Sequence, residues 1–165
     1  MKKLSRYFIS ILLLSFLAGC NSTNNKEGDI FQYNGTLVGD NSAVGGIITQ
    51  LPFGDEYYKQ FELQTKEEPY GITIKYNKEE KNPVLNDVDM KELAICNSTY
   101  IFALVDNAAW VKYDFGNPTL TVTKEELEAW YGKELSIYKN EKDIRELLQE
   151  HLSDKNNITQ FFDKE

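Results

Sequence analysis

Between residues 57 and 76, apolar and polar side chains alternate with a period of two. In "YYKQFELQT", Tyr57, Lys59, Phe61 and Leu63 fall on one side and Tyr58, Gln60, Glu62 and Gln64 on the other, which predicts a half-buried strand. "KEEP" at 66–69 reads as a polar turn, with Pro69 closing off a helical alternative. "YGITIKY" then sets Tyr70, Ile72, Ile74 and Tyr76 against Gly71, Thr73 and Lys75. Together the two runs predict an antiparallel hairpin.

After a charged loop at 77–86 the period lengthens. From Val88 to Val105, Met90, Ala94, Ile101, Leu104 and Val105 keep a helical spacing, although Asn97 and Ser98 place polar groups at its middle. Asp106-Asn107 predicts the stop. Alternation returns in "WVKYDF", where Val111, Tyr113 and Phe115 share a face opposite Trp110; "GNP" at 116–118 is the turn, and "TLTV" supplies Leu120 and Val122. Thr123 and Glu126 fit a capping box, with the Glu126 carboxylate returning to the Thr123 backbone N–H. A short helix through Leu127 and Trp130 follows, ended by Gly132. "NEKDIRELLQEHL" carries Ile144, Leu147, Leu148 and His151 on one helical face. In the closing "NNITQFFDKE", Phe161 and Phe162 either dock or fray.

Upstream, "GDNSAVGGIITQ" (39–50) admits two readings. A phosphate loop requires G-x-x-x-x-G-K-[ST], yet no lysine occurs from 37 to 58, and the dinucleotide pattern G-x-G-x-x-G does not match. The helical reading fits better. Asp40, Asn41 or Ser42 can serve as N-cap; Val44, Ile47, Ile48 and Leu51 form one apolar face, and Pro52 ends it. Gly45 and Gly46 each cost about 1 kcal/mol in a helix relative to alanine. Close approach of this helix to the sheet would offset that cost.

The order helix–hairpin–helix–hairpin–helices predicts an α+β fold. Its expected form is an antiparallel sheet built from two helix–hairpin units, with the helices on one face and C-terminal helices added. The duplication is one of pattern, without a residue-level repeat.

The N-terminus changes the picture of location. Lys2, Lys3 and Arg6 precede an apolar run from Ile9 to Leu17, too short for a bilayer core of about 30 Å and laid out as a secretory signal. The run closes in Leu17-Ala18-Gly19-Cys20, which resembles the lipobox of bacterial lipoproteins. That resemblance implies a signal peptide at 1–19, a diacylglyceryl group on the Cys20 thiol, and stable anchoring by two or three acyl chains rather than a span. Residues 20–29 read as a flexible tether reaching at most about 30 Å, and 30–165 as a single globular domain. The leader holds three of the 18 basic residues and none of the 26 acidic ones, so its removal takes the formal charge from −8 to −11. Such a surface is repelled by nucleic acid and by anionic headgroups, which excludes a nucleic-acid partner and suits a cationic ligand.

Few residues carry chemistry. With Cys20 committed to lipid, Cys96 stands alone in "ELAICNSTYIFALV", where a buried, inert thiol is expected and neither a disulfide nor a Cys-based zinc site can form. His151, the single imidazole, has no local nucleophile signature and reads as a packed histidine near a helix C-terminus. Asp87, Asp89 and Glu92 bunch ahead of the long helix, but a calcium loop would also need a glycine that is absent; capping a helical turn is the simpler role, and a weak calcium site stays open. No catalytic, cofactor or metal residue is assigned. Trp110, facing away from Val111 and Tyr113, is either a partner contact or packed beneath another helix.

"YNGTLVGDNSAVGGIITQLP", "FELQTKEEPYGITIKYN" and "FALVDNAAWVKYDF" together resemble the family called domain of unknown function 4825, over about residues 32–122. That family occurs mainly in Gram-positive bacteria, as small lipoproteins and as an extracytoplasmic module of larger membrane proteins. Some of these look like antibiotic-responsive sensor peptidases or anti-sigma regulators. It supplies no catalytic or ligand residues to carry over. Taken with the lipobox-like segment and the lack of a catalytic constellation, the family's association with sensors points to a membrane-tethered, non-catalytic binding or sensor-type module, lipid-anchored through Cys20 on the extracytoplasmic face of the cell membrane, with a protein or peptide partner. Two other readings stand beside it: a self-protection lipoprotein that sequesters a cationic peptide or toxin, and an envelope hydrolase built on carboxylates such as Asp106 with a neighbouring Glu.

Overall fold

Alternating sequence becomes two hairpins, and the 3.6-residue stretches become the helices that cover them. The computed structural model describes residues 28–77 and 85–163; the leader, Cys20, the tether up to residue 27 and most of the 77–86 loop lie outside the described residues. In chain order come a 3-10 turn (Ile30–Tyr33), helix α1 (Asn41–Ile48), a second 3-10 turn (Asp55–Tyr57), strands β1 (Tyr58–Gln64) and β2 (Gly71–Tyr76), and the long helix α2 (Asp87–Leu104). Strands β3 (Trp110–Asp114) and β4 (Thr119–Thr123), helix α3 (Lys124–Tyr131), a 3-10 turn (Leu135–Ile137), α4 (Glu141–Leu152) and α5 (Lys155–Phe162) complete it.

The class is α+β, as the pattern predicts, with both hairpins antiparallel and helices gathered at the C-terminus. The four strands lie in sequence order, but β2 pairs with β3 in parallel, so the sheet is mixed rather than antiparallel throughout. The cause is α2. A crossover helix carries the chain from the end of β2 back to the level of its start, where β3 begins alongside in the same direction.

Register sorts the strand residues onto two faces. Phe61, Ile74, Tyr113 and Leu120 lie in one row and Leu63, Ile72, Val111 and Val122 in the next, all turned toward the helices. Ile72, Ile74, Val111, Tyr113 and Val122 are completely buried there. β1 slips between Tyr58 and Gln60, which leaves Lys59 as an extra residue and brings Tyr58, rather than Tyr57, opposite Tyr76 on the apolar side. Strict alternation could not anticipate that bulge.

α1 is the helix predicted for the glycine-rich stretch. Asp40 caps it, its carboxylate accepting the Ala43 N–H at 3.0 Å, and Val44, Ile47 and Ile48 are buried. A side chain at Gly45 would touch the Phe61 ring of β1 at 3.5 Å, and one at Gly46 would run into the Tyr33 phenol. The glycines therefore bring the helix close to two aromatic rings, one of them on the sheet.

α2 is buried around most of its girth from Leu93 to Leu104, and it packs against α3, α4 and α5. Its mid-helix polar residues Asn97, Ser98 and Thr99 are all buried. The Ser98 hydroxyl shares a 2.9 Å hydrogen bond with the Tyr113 hydroxyl of β3. Thr99 donates to the Ile95 carbonyl at 2.8 Å and so receives its 2.9 Å bond from the Tyr131 hydroxyl of α3. Asn97 donates to the Phe53 carbonyl at 2.9 Å; its Oδ1 is the buried side-chain atom left without a partner among the described residues. The interruption in the helical pattern is thus where α2 is pinned to its surroundings.

The remaining helices follow their caps. Thr123 accepts the Glu126 N–H at 3.2 Å, and the Glu126 carboxylate returns to the Thr123 hydroxyl at 2.6 Å rather than to its backbone N–H. Gly132 ends α3 with φ +66°. The last segment docks: Ile158 and Phe161 of α5 are buried. Among the described residues, no helix is long and apolar enough to cross a membrane.

Candidate binding site at the uncovered side of the sheet

The side chains between the apolar rows point away from the helices. Gln60, Lys75, Asp114 and Thr119 form one row, Glu62, Thr73, Lys112 and Thr121 the next, and Gln64, Gly71, Trp110 and Thr123 the third. Half of them are exposed and all but Gly71 of the rest are half-buried, and Glu62 forms an ion pair with Lys75. The face carries two acids and two lysines, so its charge is balanced.

Trp110 stands at one end of this face, on the uncovered side. Its indole lies over Gly71 of the neighbouring strand, where any Cβ would collide with the ring, and its Nε1 donates to the Pro69 carbonyl at 3.0 Å. The glycine in "YGITIKY" is there because the indole needs the room. Beyond the strand starts the chain is closed by main-chain bonds: Ala109 N–H to the Tyr70 carbonyl and Lys124 N–H to the Ala109 carbonyl, each 2.9 Å.

A groove of about 620 Å³ opens at this end, bordered by Pro69, Asp106, Ala109, Trp110, Lys124 and Glu125, among others. It shares Pro69, Asn107 and Ala109 with a second hollow of about 470 Å³ that reaches Glu68 and Tyr70. Asn107 holds the rim in place by accepting the Val38 N–H at 2.8 Å. The Lys124 ammonium reaches the Asp106 main-chain carbonyl at 3.4 Å, and the Glu128 carboxylate accepts the Leu135 N–H at 2.8 Å.

Elsewhere the reactive side chains are engaged in packing. Cys96 is 1 % exposed and unpaired by a disulfide; burial, with Glu92 nearby, pushes its thiol up to about 12. Such a thiol is a poor nucleophile. His151 is half-buried, with Nδ1 3.0 Å from the Leu147 carbonyl and its ring against Trp130 and Tyr131. Asp89 completes a capping box with Asn86 at the start of α2, and Asp87 pairs with Lys91 at 3.1 Å. Among the described residues, no three His, Cys, Asp or Glu side chains are disposed to hold a metal ion. Asp106 does have acidic neighbours around the groove, a gathering of loop residues and helix α3 that sequence spacing could not reveal because the fold makes it.

A family described as Domain of unknown function (DUF4825) matches residues 30–126, more than half of the chain, so the chain belongs to that family. The matched stretch holds the whole sheet, α1 and α2; α4 and α5 lie beyond it. No curated protein and no solved structure matches the chain.

Proposed function

We propose that this DUF4825 member is a lipid-anchored extracytoplasmic binding module without chemistry of its own. It is held to the cell membrane through Cys20 and engages a protein or peptide partner at the uncovered side of its sheet. The observation that carries this reading is the placement of Trp110. A large aromatic side chain is kept out of the core, fixed by a hydrogen bond and a glycine bed, and left bordering a groove. Preorganised aromatics of this kind make good binding anchors, because little side-chain entropy remains to be lost. The lipobox-like "LAGC" supports the location, and the packing of His151 and Cys96 supports a non-catalytic role.

The test is site-specific photo-crosslinking of the lipidated protein in its native membrane. A photoreactive residue replacing Lys112, on the uncovered face, should capture a partner that the same residue at Lys142, exposed on α4, does not. Capture from neither position, or equally from both, counts against the reading. Cys20→Ala should abolish labelling by an alkyne fatty acid and release the protein from the membrane fraction.

A further inference from the structure

The groove beside Trp110 is acidic in a way that the rest of the uncovered face is not. Glu68, Asp106, Glu125 and Glu128 border its two connected hollows, against the single Lys124. Among the described residues the ion pairs are Lys75–Glu62, Lys91 with Asp87 and Asp163, Lys142–Glu146 and Arg145–Glu141; none of the four groove carboxylates takes part in one. Lys124 is turned to a main-chain carbonyl. The indole N–H is spent on Pro69, so Trp110 offers an occupant its ring rather than its donor.

We propose that this groove seats a lysine- or arginine-rich polypeptide segment, with a basic side chain stacked on the Trp110 ring and its charge balanced by the carboxylates at the rim. This rests on the binding-module reading and names the partner's chemistry. An aromatic face presented beside uncompensated carboxylates matches a guanidinium or ammonium group, which gains from the ring quadrupole as well as from charge. The remainder of the face, with Lys75 and Lys112 offsetting Glu62 and Asp114, gives a cationic chain no reason to spread across it. Two hollows in continuity suit several residues of an extended chain better than one small cation. The chain's formal charge of −8 steers a basic partner toward it.

The lipidated full chain, labelled with 5-fluorotryptophan and held in non-ionic detergent, carries one ¹⁹F resonance for each of its two tryptophans, Trp110 and Trp130. Titration with hepta-arginine at low salt should move the Trp110 resonance saturably and leave that of Trp130 in place. The double variant Asp106→Asn/Glu125→Gln alters exposed side chains only, and should weaken binding about fivefold or more while thermal unfolding stays the same. An unmoved Trp110 resonance overturns the proposal, and so does undiminished binding by the double variant. Equally tight binding of spermine would also overturn it, by showing attraction for any polycation rather than a seat for a polypeptide. If Lys112-directed crosslinking still captures a partner while hepta-arginine leaves Trp110 unmoved, the binding module stands and the basic occupant falls; if both fail, both fall.

Discussion

Toward the helices, the sheet buries Ile72, Ile74, Val111 and Val122 completely, and even the fully buried Tyr113 hydroxyl is met by Ser98. Away from them, Lys112 and Thr121 stand in solvent, while the Trp110 ring is held in a fixed pose. The first face is determined by many mutual contacts, so nearly every residue on it matters to folding. The second is tolerant except at one point, where Gly71 and Trp110 fit each other. A surface that is relaxed nearly everywhere and rigid at a single aromatic is free to serve recognition, and that contrast makes the two faces separable by mutation.

The largest separation should come from truncation. Ile101→Ala on α2, at 0 % exposure, should cost about 2–5 kcal/mol, since both transfer energy and cavity are lost. Lys112→Ala on the other face should change stability by less than about 0.5 kcal/mol. Urea unfolding of both variants measures the gap; similar losses would mean that the uncovered face is not relaxed.

Ser98 tests whether the polar residues on the covered side are structural pins. Ser98→Ala should cost about 1–3 kcal/mol, because the fully buried Tyr113 hydroxyl loses its partner. Tyr113→Phe should cost less, since a serine hydroxyl within a helix can turn to a carbonyl one turn back. The double variant should then lose less than the sum of the two single losses, because it leaves no buried hydroxyl unpaired.

Much of this architecture is legible in the chain, and the illegible parts share a cause. Periodicity locates both hairpins, the capped α1 and the amphipathic α4, because each buries one side and its pattern shows it. α2 shows a weaker pattern since it is buried nearly all round, which erases the polar stripe that a period needs. The same burial makes Asn97 and Ser98 resemble a defect, when each serves a partner far along the chain. The β1 bulge and the parallel β2–β3 joint depend on pairing between segments, which no local window contains. For the groove, sequence singles out Trp110 and Asp106 separately; only the return of α3 beside the strand starts sets Glu125 and Glu128 next to them.

Gly71 sharpens the comparison from the uncovered side. Gly71→Ala drives a methyl group into the indole and should cost about 1–3 kcal/mol, unusual for that face. In a Trp110→Thr background the same alanine should be tolerated, because the collision is gone and a β-strand prefers alanine to glycine. Additive losses in the double variant would show that the two residues do not fit each other as described.

Alkaline pH probes the covered side without mutation. Burial raises the Cys96 thiol from 9.0 to about 12 and Tyr100 from 10.0 to about 12, and pushes Tyr76, Tyr113 and Tyr131 up as well. The folded chain therefore keeps these protons where the unfolded chain gives them up. Their contribution is complete below the unfolded value and is lost as pH rises through the folded one, by about 1.4 kcal/mol per pH unit for each group in its window. Between pH 9 and 10 Cys96 shares that loss with the four tyrosines. Under reducing conditions, stability should fall across this unit more steeply in the native chain than in Cys96→Ala, which keeps only the tyrosines' part.

The smallest effect belongs to the ion pair on the uncovered face. Glu62 and Lys75 meet across β1 and β2, with side chains 58 % and 31 % exposed. Water screens most of their attraction, and both long side chains lose freedom in meeting, so a double-mutant cycle should return only about 0.2–1 kcal/mol. Molar salt should erase it, because the screening length then shrinks to about 3 Å. A coupling well above this range, or one indifferent to salt, would mean that water does not reach the pair. The uncovered face would then be covered after all, and the reading of it as an open recognition surface would lose its premise.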